Sequence, residues 1–517
     1  MGQKRKRDAP VAVADNLSKL SLKQSSTPSA STSFQIVAGS YDRVLHGLRV
    51  TIPSSTAVAS TTTTNDNDND DSSAETASFT PLFLFTAHAS SIRCLAVSPP
   101  SDGDGGNSSN KRILATSSPD TKINLYHLHT RTNLGTLAPP SASPTTSLVF
   151  PSKSTLISTD EAGYIHIFKT RDWSLLSSLH CPAPKPKPGQ ILTGGGVNSI
   201  AVHPSGKLAL SVSRHEKAVR MWNLMTGRKA GVLGFPKSIP RLVTGVSGEG
   251  LKVVWRPGGK EGYAVMFERG VVLFGVDSVV HGSFTTTPVS KVHQIKFLEV
   301  PIGEAGEEQE ICILATEDGR VIVYLISQSD DGKLASEEKG TNKKEDEEKT
   351  EDVKPVLLAT ITPVTTDKIR IKDFDILPHP SADRKSKFFL TTANSEGIIR
   401  VYSLDFAQVQ IGTTKKQKTG EKEAETEVVV DVKADGFAAM AGEYDTNRRI
   451  TCLTTAEVED SAASTLKASD EEEVEDDDGD SESDSGSEEE EEEEEGDEDN
   501  EDEDEEWGGI GEDEDMK

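Results

Sequence analysis

Aromatic residues make up only 5% of this 517-residue chain, and cysteine occurs just four times. Cys94, Cys181, Cys312 and Cys452 lie far apart and form no CxxC pair, which speaks against a zinc knuckle. Most of them fall in apolar, strand-like segments, where a cysteine behaves as a small buried hydrophobe. Long apolar runs are missing too. None approaches the roughly 20 residues that a membrane-spanning helix needs. The N-terminus is polar, with no apolar segment of the kind that begins a secretory signal. A soluble, intracellular protein is expected. The chain also lacks the nucleophile elbow GxSxG, the phosphate cradle GxxxxGK[ST] and the zinc motif HExxH. The eleven histidines show no ligand spacing apart from His127 and His129, which lack a third partner. No catalytic, cofactor-binding or metal-binding residue is therefore assigned. A catalytic site would need clustered polar residues, and the sequence shows no such cluster.

Hydrophobic residues amount to 34%, low for a wholly folded chain, so sizeable disordered segments are expected. The net charge of −30 is concentrated at one end. Residues 470–517 hold 32 acids and one base, Lys517, which leaves 53 acids and 54 bases elsewhere. The body is thus near neutral, with no evident basic stripe, and strong direct RNA binding is not expected from it.

What the chain does have is a repeat. Seven segments carry a large residue at a fixed point: Leu48, Tyr126, Phe168, Trp222, Phe274, Tyr324 and Tyr402. Three positions earlier stand Leu45, Ile123, Ile165, Val219, Val271, Val321 and Ile399. Six positions earlier stand Asp42, Asp120, Glu216, Glu268, Asp318 and Glu396, with Ala162 in the third copy. An acid in a tight turn followed by a strand with a large anchor is how one blade of a β-propeller reads. The anchors are 78, 42, 54, 52, 50 and 78 residues apart. Low-complexity insertions at about 53–78, 98–110 and 328–355 account for the excess of the two long intervals over the roughly 40–45 expected of a blade, and a similar segment follows the last anchor at about 410–425. They are read as disordered surface loops.

The fourth copy shows a whole blade: VNSIAV (197–202), KLALSVS (207–213), AVRMWNL (218–224) and RKAGVL (228–233). The first copy begins at FQIVAGS (34–40) with no inner strand before it, whereas RRITCLTT (448–455) follows the last copy. The C-terminal strand should therefore complete the first blade and close the ring, which removes the exposed sheet edges. The expected organisation is a disordered segment at 1–32, a seven-bladed all-β propeller at 33–457 and a disordered acidic tail at 458–517. The acids of the turns are expected to cap backbone N–H groups in internal hydrogen-bond networks, with His88 joining one of them.

Two terminal features point to partners. Lys4, Arg5, Lys6 and Arg7 form a candidate nuclear-import signal. The acidic tail, with Glu488 to Glu495 unbroken, could reach on the order of 160 Å when extended. Such a tail attracts basic proteins and repels nucleic acid. Ser469, Ser481, Ser485 and Ser487 each precede an acid by three residues and are candidate sites for an acid-directed kinase.

Residues 197–233, and above all WNLMTGRKA (222–230), resemble a particular WD-repeat family. VAGSYDRVLHGLRV (37–50), TAHASSIRCLAVS (86–98) and NRRITCLTT (447–455) support the resemblance, which covers roughly 34–457 and is weakest across 240–300. The family comprises the fungal "maintenance of killer" ribosome-assembly factor and the animal p21-activated-kinase-interacting protein. Membership implies a WD40-type propeller and a non-catalytic scaffold in nucleolar assembly of the large (60S) ribosomal subunit. The implied partners are pre-ribosomal proteins and assembly factors, with basic ribosomal proteins on the tail and RNA contact indirect. It also implies a nuclear and nucleolar location. A negative regulator of a p21-activated protein kinase and a histone-binding propeller are the alternatives.

Overall fold

The structure is a computed structural model that describes residues 31–53, 77–100, 112–184, 195–259, 262–302, 307–327, 354–362, 369–380, 385–417, 426–433 and 436–458. Lys4 to Arg7, Ser469, Ser481, Ser485 and Ser487 lie outside these residues, as do 54–76, 101–111, 328–353 and the tail from 459.

Seven four-stranded antiparallel sheets follow one another around a ring. Blade 2 runs from an inner strand (Cys94–Val97) through Ile113–Ser117 and Ile123–His127 to an outer strand (Thr132–Leu137). Blade 3 is Thr145–Ser152, Thr155–Asp160, Tyr164–Lys169 and Leu175–His180. Blade 4 is Val197–Val202, Leu208–Ser213, Ala218–Asn223 and Arg228–Gly234. Blade 5, over the segment least like the family, is nonetheless complete: Lys252–Trp255, Tyr263–Met266, Gly270–Phe274 and Val280–Thr285. Blade 6 is Val292–Ile302, Glu307–Thr316, Val321–Ser327 and Lys354–Ile361. Blade 7 is Ile371–Pro378, Lys387–Asn394, Ile398–Asp405 and Ala438–Asp445.

Blade 1 takes three strands from the start of the chain, Thr32–Ser40, Val44–Ile52 and Ser78–Thr86, and its inner strand, Ile450–Glu457, from the end. The ladder runs from Phe34 opposite Glu457 to Ser40 opposite Ile450, so the expected closure by the C-terminal strand is present. One expectation differs. The segment read as a loop at about 410–425 is in part a hairpin, Gln410–Gln417 with Thr426–Lys433, between the third and outer strands of blade 7. Its alternating Thr, Val and charged residues suit a two-stranded ribbon, and the Lys- and Glu-rich composition hid that alternation.

The three-residue spacing within each repeat has a direct geometric meaning. Strand side chains alternate, so residues an odd number apart face opposite sides of the sheet. A propeller blade is covered on both sides, and the structure uses both. Val219 packs into the apolar cluster shared with blade 5, whereas Trp222 packs into the one shared with blade 3. The same division holds around the ring. Ile123, Ile165, Val271, Val321, Ile399 and Leu45 face the following blade, and Tyr126, Phe168, Phe274, Tyr324, Tyr402 and Leu48 face the preceding one. All of them are buried. Each such burial contributes about 1.5–3 kcal/mol.

A second regularity accompanies the anchors. In every blade the pairing of the third strand with the outer strand shifts by one residue immediately before the anchor, as between Met221 and Trp222 or Val401 and Tyr402. The extra residue lies in the outer strand and adds local twist. Among the described residues the one α-helix, Arg241–Thr244, is far too short to cross a membrane.

Candidate functional site

Antiparallel strands place the turns of each blade at two ends. The turns between second and third strands, together with the connections from one blade to the next, form what we term the upper face. The turns between inner and second, and between third and outer strands, form the lower face.

On the upper face, the acids of the repeat take several roles. Asp120 accepts from Lys122 N (3.2 Å) and Ala89 N (3.1 Å), and its other contact is His88 Nδ1 at 2.9 Å. His88 Nε2 lies 2.8 Å from Thr116 Oγ1, and Asn124 donates to the Ala87 carbonyl at 2.7 Å. This chain ties the turn of blade 2 to the loop arriving from blade 1. Glu216 and Asp318 instead hold an arginine. Arg220 donates to Glu216 and to the Pro182 carbonyl (3.1 Å), and Arg320 donates to Asp318 (2.8 Å) and to the carbonyls of Thr287 and Pro288. Glu268 accepts from Val246 N and pairs with Lys291 at 3.3 Å. Asp42 lies 3.8 Å from Arg448, while beside Glu396 it is Arg400 that pairs, with Glu443.

The residue that caps the turn most regularly stands eight positions before the anchor. Ser40, Asp160, Thr316 and Asn394 accept from the N–H four residues on, at Val44, Tyr164, Arg320 and Ile398. Asp160 thus serves the third copy, where Ala162 interrupts the acids. The repeat hides this position because its residue type varies while its geometry does not. The left-handed residue of the turn comes three places later, filled by Gly163, Gly319 and Gly397 but also by Arg43 and Thr121.

The channel departs from expectation, because polar residues do cluster there. Thr451 Oγ1 of blade 1 donates to the Ile92 carbonyl ahead of blade 2 (2.5 Å), and Cys94 Sγ to the Thr146 carbonyl of blade 3 (3.0 Å). Thr146 Oγ1 donates to Val197 O of blade 4 (2.6 Å), and Asn198 Nδ2 to Gly250 O ahead of blade 5 (3.0 Å). Lys252 of blade 5 donates to Gln294 of blade 6, and Gln294 donates to Asp373 of blade 7 (2.6 Å). Asp373 closes the circuit by accepting Leu453 N of blade 1 at 2.9 Å. Seven junctions are thereby linked in a belt. Asp375 adds a parallel clip, accepting from Thr455 N (2.7 Å) and from Lys296.

Burial sets the charges of this belt. It pushes the Lys252 ammonium down to about 8, against the pull of Asp373. Burial raises the Asp373 carboxyl, with Lys252 opposing. At Asp375 burial also pushes upward, but Lys296 and the N–H groups of Thr455 and Ile376 outweigh it and hold the carboxyl low. The Cys94 thiol is pushed up to about 11 by burial, which disfavours the thiolate. The groups of the belt satisfy one another, which is the arrangement of a structural lock. The signal was present as polar alternation, Asp373 with Asp375 and Gln294 with Lys296, but on strands some 80 residues apart. Among the described residues no group of three or more His, Cys, Asp and Glu could hold a metal ion.

An apolar groove of about 90 Å³ lies between blades 1 and 2, lined by Leu45, Phe83, Phe85, Leu114, Tyr126 and Leu128, with His127 and Arg131 at its edge. Phe85 meets Tyr126 edge-on at 5.4 Å. It is far smaller than a typical small-molecule pocket of roughly 300–1,000 Å³. What the ring offers is a rigid frame with two faces of turns, suited to binding proteins.

The comparisons agree with that frame. The family model described as "WD domain, G-beta repeat" matches residues 79–127 and 186–223. Protein MAK11 of Saccharomyces cerevisiae is 26% identical over 85% of this chain and 87% of its own length. A "p21-activated protein kinase-interacting protein 1-like" of Danio rerio is 28% identical over 53% of this chain, and the match spans 59% of that relative. "Shk1 kinase-binding protein 15" of Schizosaccharomyces pombe is 25% identical over 51% of this chain and 71% of its own length. Seven WD-type blades closed by the C-terminal strand make the chain a WD-repeat propeller, similar to MAK11 and to the p21-activated protein kinase-interacting proteins.

Proposed function

We propose that this protein is a scaffold in assembly of the large ribosomal subunit, working in the nucleus and nucleolus. The observation that carries the reading is the match to MAK11 along nearly the whole of both chains. It joins the resemblance at 197–233, which implies that role. The basic cluster Lys4 to Arg7 fits a nuclear address, and the acidic tail fits the handling of basic ribosomal proteins. The belt around the channel makes the ring a stiff platform, so partners are recognised by preformed turns at little ordering cost.

A second reading, regulation of a p21-activated kinase, is favoured by the names of the Danio rerio and Schizosaccharomyces pombe relatives, which describe kinase binding. The deciding experiment is affinity purification of the tagged protein at moderate salt, with sequencing of co-purifying RNA and mass spectrometry of proteins. Large-subunit precursor RNA with assembly factors is the expected result. A kinase or core histones without precursor RNA would replace the assembly reading.

A further inference from the structure

The body is neutral in sum but not in distribution. Residues 121–240, which make up most of blades 2 to 4, hold 14 bases and only four acids. The structure sorts these by face. Asp160, Glu161 and Glu216 sit in upper-face turns, and each lies against a cation or a histidine: Asp160 near His166, Glu161 with Arg93, Glu216 with Arg220. The lower face of the same blades has one described acid, Asp172, which is held by Ser174 at 2.9 Å.

Besides Lys153, in the turn between the first two strands of blade 3, six cations stand on or beside that face. Arg131 and Arg171 lie in turns between third and outer strands, and Lys207 lies in the turn between the first two strands of blade 4. Lys169 ends the third strand of blade 3, and Arg228 and Lys229 open the outer strand of blade 4. None of the six comes within 4 Å of a described carboxylate, although Lys169 attracts the exposed Asp172 and Arg131 donates to the Leu82 carbonyl at 3.4 Å. Leu224 N donates to the Lys207 carbonyl, and the turn at Gly227 approaches Ser177 of blade 3, so the cations of blade 4 sit together and beside those of blade 3.

Like charges left unpaired on neighbouring turns repel one another, and a partner that brings negative charge at regular intervals relieves that cost. A pocket-bound anion would need the cations to converge, whereas these spread along the rim of three blades. We propose that the lower face of blades 2 to 4 binds the phosphate backbone of single-stranded RNA directly. The choice of RNA rests on the assembly reading given above; the surface itself rests on the charge placement.

The test uses the purified full-length chain and a labelled single-stranded RNA of about 20 nucleotides, with anisotropy read across a KCl series. Binding should weaken with salt at a log–log slope of about −4 for six phosphate contacts. The triple variant Arg171→Glu, Lys207→Glu, Arg228→Glu should lose at least about ten-fold in affinity and about two units of slope. A matched variant on the upper face, Lys122→Glu, Lys217→Glu, Lys237→Glu, changes net charge equally and should stay within about two-fold at the same salt. All six substituted side chains are exposed, and thermal melts verify folding. Equal losses in the two variants, or absence of binding by the full chain at about 50 mM KCl, would each overturn the proposal. Precursor RNA that co-purifies from cells while the purified chain fails to bind RNA sinks this inference alone and leaves the scaffold reading standing.

Discussion

Blade 1 and blade 4 have the same four-stranded form and reach it by opposite routes. Blade 4 is built from residues 197–234 in three consecutive hairpins, so each strand finds its neighbour a few residues away. Blade 1 must bring Ile450–Glu457 against Thr32–Ser40, a pairing across most of the chain. Long-range closure carries a larger entropic cost than local closure. The seam has compensating bonds that blade 4 does not need. Asp373 and Asp375 of blade 7 accept N–H groups of Leu453 and Thr455, and Phe34 stacks on Phe389 at 5.4 Å. Gly39 lets Ile92 and Cys452 close in; a Cβ there would meet Ile92 Cγ2 at 2.6 Å. The comparison teaches that the ring's weakest connection in sequence is its most heavily tied in space.

The comparison can be broken outright by truncation. A chain ending before Arg448 loses the inner strand of blade 1 and should lose its cooperative thermal transition. A chain ending after Glu457 should keep the full-length melting temperature. Equal melting behaviour of the two would refute closure as the source of stability. Next in size, Trp222→Ala in blade 4 should cost about 3–5 kcal/mol in urea unfolding, because a large buried anchor is replaced by a cavity. Its indole N–H also donates to Ser211 Oγ at 2.8 Å.

The seam clips come third. Asp375→Ala strands a buried backbone N–H and should cost about 1–3 kcal/mol. Amide exchange should accelerate across 450–457 and not across 197–202; uniform acceleration would mean that the clip acts on the whole ring. Thr146→Val, which removes one link of the belt away from the seam, should cost only about 0.5–1.5 kcal/mol.

Blade 1 also has a pH dependence. Burial, aided by Arg448, holds His46 down at about 4 against an ordinary value of 6.5. Between those values the unfolded chain carries the extra proton, so stability is full above pH 6.5 and declines as pH falls through 4. The melting temperature of His46→Gln should fall less over that window than that of the wild type. Parallel curves would assign the acid sensitivity to other groups.

The sequence made the ring legible because the repeat records geometry directly. An aliphatic residue and an anchor three apart are what a strand covered on both sides requires, and the lone RRITCLTT segment announced the missing inner strand. The turn acids were seen at a common offset, yet only Asp120 both caps its own turn and joins a network with His88. The regular cap, eight before the anchor, changes between Ser, Asp, Thr and Asn, since any short oxygen-bearing side chain serves. The belt stayed hidden because its members come from seven strands, one or two residues from each. The charge of the lower face stayed hidden because summing over the body cancels it.

The divided blade also has a consequence during synthesis. The strand Thr32–Ser40 leaves the ribosome long before Ile450–Glu457 exists; Gly39 and Thr451, which share a hydrogen bond in the finished ring, are 412 residues apart. At about 5–20 residues per second, that strand waits on the order of tens of seconds with an open edge. For that interval the nascent protein carries a strand with one unpaired edge next to a crowd of other emerging chains, the condition under which strands join the wrong partner. Correct closure therefore requires that this one edge stay free until the last eight residues of the ring arrive.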